Sequence, residues 1–151
     1  MVSVSQLLEH WRTVRAGLLE TIGKFRDEEL NFKPFATAWT VRQLMLHIAQ
    51  EERGEFAYGI TQALSEFPPE YILADYPVIQ TIQARLEAVH TETLNYLTAL
   101  RDDDLQRIIE TPWGAHFLLI EMIDHMIDHE IHHRAELSLI LGMLGREGLD
   151  A

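Results

Sequence analysis

Residues 115–144 run for thirty positions without proline, and without glycine before Gly142, and they hold five histidines: His116 at the start and then His125, His129, His132 and His133. A stretch of this length and apolar content reads as one long helix beginning near Ala115. Leu118, Met122, His125, His129, His133 and Ile140 share one stripe, while Leu119, Ile120, Ile123, Ile127 and Ile131 lie nearly opposite. Only the arc of Glu121, Asp124, Asp128 and His132 is wet. A helix apolar on two faces is either central in its fold or covered by a partner, so homodimerisation through this helix competes with deep burial inside one chain. Either way the chain must supply other helices to pack against it.

Three further segments have the helical period. Leu7, Leu8, Trp11, Val14, Leu18 and Ile22 recur over about 3–25. Thr40 is a plausible N-cap for a second helix carrying Val41, Leu44, His47, Ile48, Glu51 and Tyr58 to about Leu64, where Phe67-Pro68-Pro69 ends it. Ile79, Ile82, Leu86, Val89, Thr93, Tyr96 and Leu97 define a third over about 76–100, with Pro77 suited to its first turn. Between the third and fourth, Leu105 to Gly114 contains Thr-Pro-Trp-Gly and reads as an extended segment or hairpin. The expectation is an all-α four-helix bundle formed by one domain, residues 1–151. The connection from Leu64 to Tyr76 is long enough to run the length of a bundle, which permits parallel second and third helices and an up-down-down-up topology.

Helical geometry also decides how the histidines can act. Positions four apart sit one above the other about 6 Å apart along the axis, so His125, His129 and His133 form a stripe and His132 points to its flank. Two imidazoles one turn apart can share a divalent ion; across two turns they are too far apart. The helical pair is therefore His125/His129 or His129/His133. Several buried neutral imidazoles without partners would be costly, which favours a metal site over core histidines. His47, in mid-helix beside Leu44 and Ile48, is the strongest candidate for a third ligand, and Glu51 one turn later could orient a ligand or accept a proton. Three imidazoles suit Zn²⁺, Ni²⁺, Fe²⁺, Mn²⁺ or Cu²⁺ and leave a position for water or substrate. A competing constellation pairs Glu87-x-x-His90 with Glu130-x-x-His133 and enlists Glu20 and Glu51, in the manner of di-iron carboxylate bundles, but it leaves His47 and His129 unexplained.

Composition narrows the chemistry. There is no cysteine, so thiolate ligands and a cysteine nucleophile are excluded, and any thiol must come from outside. Twelve basic against twenty-four acidic residues give a net charge of −12, which argues against nucleic acid as a partner. No phosphate-binding glycine loop and no nucleophile elbow is present. Without an apolar run of eighteen or an export signal, no membrane partner is expected and the expected location is cytoplasmic.

Trp39-Thr40-Val41-Arg42-Gln43-Leu44-Met45-Leu46-His47-Ile48, then Thr111-Pro112-Trp113-Gly114, then His125-Met-Ile-Asp-His129-Glu-Ile-His132-His133-Arg134 resemble, in order, the DinB/YfiT-like superfamily. The resemblance implies a four-helix bundle of up-down-down-up topology, often dimeric, with His47, His129 and His133 as ligands of one divalent metal ion and His125 as a neighbour on the same face. Ala135 stands where many relatives have glycine. Characterised relatives include metal-dependent transferases and isomerases that use low-molecular-weight thiols such as bacillithiol or mycothiol. The implied activity is transfer of such a thiol to a small electrophile. Metal-water hydrolysis is the enzymatic alternative, and a non-catalytic metal-binding dimer the alternative of another class.

Overall fold

The structure is a computed structural model describing residues 2–148. Helix α1 spans Val4–Gly23 and opens with a reciprocal cap: the Gln6 amide donates to Ser3 Oγ at 3.2 Å, and the Ser3 amide donates to Gln6 Oε1 at 2.9 Å. Helix α2, Val41–Arg53, starts in the same way at Thr40, with Gln43 completing the pair. It does not run to Leu64 as a uniform α-helix. From Gly54 to Ile60 it widens into a π-helical segment, ended where the Thr61 amide donates to Phe56 O, five residues back, at 2.8 Å.

Helix α3 spans Ile79–Thr98, so Pro77 lies ahead of the first turn rather than within it. The cap explains the shift: the Ile79 amide donates to Asp27 Oδ1 at 2.8 Å, a carboxylate delivered by the turn after α1. Strands β1, Ile108–Glu110, and β2, His116–Leu118, pair antiparallel with Ile108 opposite Leu118. This is the hairpin alternative, and it delays helix α4, Leu119–Met143, by four residues relative to Ala115. At the tip Thr111 Oγ1 takes the Ala115 amide at 3.0 Å, and Gly114, at φ +84°, adopts a left-handed conformation that costs glycine little.

Two apolar clusters show how the helices run. One gathers Leu18 and Ile22 from the end of α1, Val41 to Ala49 from the start of α2, Ile79 to Val89 from the start of α3, and Leu137 to Leu141 from the end of α4. The other gathers the start of α1, Phe56 and Ile60 after α2, Leu97 at the end of α3, and Leu119 to Ile127 from the start of α4. Helices α2 and α3 are therefore parallel to each other and antiparallel to α1 and α4: up, down, down, up. The segment after Ile60 carries the chain back along the bundle, held to α2 by Gln50 Nε2 donating to Pro68 O at 2.9 Å. Helix α4 contributes to both clusters: Met122 and Ile140 from one apolar face and Leu119, Ile123 and Ile127 from the other are buried within one chain, while Ile120 and Ile131 are only partly buried. Among the described residues no helix is long and apolar enough to cross a membrane.

Candidate metal centre

His129 and His133 lie one turn apart on α4, and α2 brings His47 against them. His129 Nε2 stands 3.2 Å from His47 Nε2 and 3.0 Å from His133 Nε2. A divalent ion bound at about 2 Å from each imidazole needs its ligand nitrogens about 3 Å apart, so these three atoms have the spacing of a shared site. The ring orientations support this. His133 Nδ1 donates to Glu136 Oε2 at 2.6 Å, which fixes the tautomer that leaves the Nε2 lone pair free and makes it more basic. Trp39 covers the other side of His47, their ring centroids 4.6 Å apart.

Burial first, and then the electrostatic influence of the adjacent His133, push His47 down to about 4 and His129 down to about 3. Both imidazoles are therefore neutral at physiological pH, the form a metal requires. His132, His133 and Glu136 form a second possible grouping, but all three come from one helix and it uses the Glu136 contact that orients His133.

Of the two helical pairs the spacing allowed, the structure brings together His129 and His133. His125 is exposed, with its ring centroid 6.4 Å from that of His129, and it faces a neighbouring cavity. Glu51 Oε1 is 3.8 Å from His47 Nδ1, an ion-pair separation rather than a hydrogen bond. Burial raises the Glu51 carboxyl above its ordinary value.

The di-iron arrangement is not formed: Glu20 and Glu87 are exposed, whereas His90 and Glu130 are buried. Instead one buried polar residue from each helix meets at mid-bundle. Arg15 Nη2 lies 2.5 Å from Glu52 Oε2 and 2.9 Å from Glu130 Oε2, His90 Nδ1 is 2.7 Å from Glu52 Oε1, and Trp11 Nε1 donates to Glu130 Oε2 at 2.8 Å. The guanidinium occupies the centre that a cation would take. Sequence reasoning missed Arg15 and Glu52, though each sits on an apolar stripe, Trp11-Arg15-Leu18-Ile22 and Met45-Ile48-Glu52-Phe56, where a charge is out of place.

Comparison with known proteins fits the fold and the order of these motifs. A family model for the DinB superfamily matches residues 10–137. The chain belongs to the DinB superfamily. No curated protein matches the sequence. Among solved structures, a DinB-like protein from Bacillus cereus ATCC 10987 superposes with a TM-score of 0.80 at 17% identity, over 99% of this chain and 97% of that one. YfiT from Bacillus subtilis, described as a probable metal-dependent hydrolase with an unusual four-helix bundle topology, gives 0.71 at 19% identity, covering 95% and 89%. The colibactin self-resistance protein ClbS, solved in complex with double-stranded DNA, gives 0.71 at 15% identity, covering 93% and 96%. At these identities the likeness establishes a shared DinB-like bundle.

Proposed function

We propose that this DinB-superfamily protein is a metal-dependent enzyme in which His47, His129 and His133 hold one divalent transition-metal ion through their Nε2 atoms. The observation that carries the reading is the convergence of those three nitrogens, with separations of 3.0 and 3.2 Å along the chain of contacts. Bound there, a divalent ion supplies Lewis-acid chemistry that lowers the pKa of a coordinated thiol or water toward neutrality. Glu136 holds the His133 ring in the ligating tautomer. Trp39 packs against His47, and the absence of cysteine means that any thiol nucleophile comes from outside. We take that nucleophile to be a low-molecular-weight thiol transferred to a small electrophile. Hydrolysis is the second reading, favoured by the description of YfiT, whose bundle this chain shares. The net charge of −12 speaks against DNA as the substrate, although ClbS was solved with it.

The test begins with elemental analysis of protein purified without an affinity tag, beside a His129→Ala variant. About one transition-metal ion per chain, lost in the variant, is expected; two irons per chain, or a folded protein that refuses added metal, would sink the three-histidine site. Cobalt-substituted protein then separates the two chemistries. A thiol that shifts the cobalt spectrum supports transfer, whereas a spectrum indifferent to thiols removes that version.

A further inference from the structure

The rows that form the triad continue beyond it. Down α2 and its π-helical extension, His47, Glu51 and Glu55 recur at four-residue steps; along α4, which runs the opposite way, His133, His129, His125 and Glu121 recur at the same step. Past His125 these rows border a cavity of about 570 Å³ lined by Glu55, Trp113, Phe117, Glu121, Met122 and His125.

The lining is of two kinds. Trp113 and Phe117 keep 49% and 39% of their surface exposed, large aromatic faces offered to a ligand beside the Met122 thioether. Trp113 is held there by Gly59, where a Cβ would come within 2.9 Å of the indole, and by Tyr58, with ring centroids 5.9 Å apart. The remaining lining includes two carboxylates and neither lysine nor arginine. Glu121 is partly committed, because its Oε2 accepts the Leu118 amide at 2.7 Å. The Glu55 carboxyl has no hydrogen bond or ion pair among the described residues. Burial, with the nearby Glu51 charge, pushes its carboxyl up to about 7, as expected for a carboxylate lacking a cation. An unpartnered carboxylate beside exposed aromatic faces is half of a binding site for an organic cation.

We propose that this cavity binds a small organic cation with an apolar body, its ammonium or amidinium group against Glu55 and its body on Trp113, Phe117 and Met122, and that it rejects anions. Its place in catalysis rests on the metal-centre reading, since it would hold the substrate one helical turn from His129, but binding itself needs no metal. A consequence is that thiols bearing several carboxylates are poor cosubstrates.

Three probes of nearly one shape test this by calorimetric titration of the full chain, before and after treatment with a chelator: benzamidine, benzamide and benzoate. Benzamidine is expected to bind roughly tenfold more tightly than benzamide, as a charge-assisted contact implies, with benzoate weakest. Glu55→Gln should remove that advantage and leave benzamide within about twofold, while Trp113→Ala weakens both, as loss of an aromatic face requires. Benzoate binding to metal-free protein as tightly as benzamidine, an unchanged benzamidine affinity in Glu55→Gln, or no binding of any probe would each overturn the proposal. Failure of the metal-centre reading shows up separately, as protein that retains no ion, and leaves these titrations interpretable.

Discussion

Histidine chemistry at this site depends on which nitrogen each ring presents. Glu136 takes the proton side of His133, and its loss would free the ring to rotate or change tautomer without touching the core. Glu136→Ala should therefore fold normally and bind metal about tenfold to a hundredfold more weakly, as loss of an outer carboxylate partner typically does, measured by competition with a chromogenic chelator. The depressed imidazoles also make stability depend on pH. In the unfolded chain each takes a proton near pH 6.5, whereas folded His47 and His129 resist until about 4 and about 3, chiefly because burial disfavours their charged forms. Between those limits the unfolded state binds more protons, so metal-free protein loses stability as pH falls from about 6.5 toward 4, and the loss levels off below about 3. Urea unfolding at a series of pH values checks this; the same slope in a His47→Ala/His129→Ala variant would refute the assignment.

At the scale of elements, the mid-bundle layer ties all four helices together through one residue each. Arg15 comes from α1, Glu52 from α2, His90 from α3 and Glu130 from α4, lying between the two apolar clusters. Burial alone would raise the Glu52 carboxyl, but Arg15 and the His90 contact outweigh it and hold it below its ordinary value. Removing the guanidinium leaves two buried carboxylates facing each other. Arg15→Met is expected to cost about 3–5 kcal/mol in denaturant unfolding, the penalty of breaking a buried ion pair from one side. A loss below about 1 kcal/mol would mean that water already solvates the layer. Element ends were less legible than element cores. The start of α3 is set by Asp27, fifty-two positions away in sequence, and the start of α4 by strand pairing with Ile108. The π-helical segment left no mark in the apolar period, although Gly54 and Gly59 both stand where a Cβ would strike a neighbouring ring.

Over the whole molecule, charge and topology act independently. The shared bundle places this chain beside ClbS, but phosphate-backbone binding requires clustered cations, and here acidic residues outnumber basic ones two to one. Gel-shift titration with double-stranded DNA at moderate salt is expected to show no complex at micromolar protein; a retarded band that weakens as salt rises would contradict that. The four-helix architecture and the histidine stripe were readable because helical periodicity is local: a residue's face follows from its number in the helix. Local spacing alone could not choose between His125 and His133 as partner for His129, because both are one turn away. The family resemblance named His133, and in the structure α2 brings His47 against His129 and His133. The up-down-down-up order was permitted by the long connection and implied by the resemblance, whereas the Arg15 layer and the unpartnered Glu55 belong to the tertiary structure. Each depends on which helix faces which, and that is decided by packing between residues far apart in the chain.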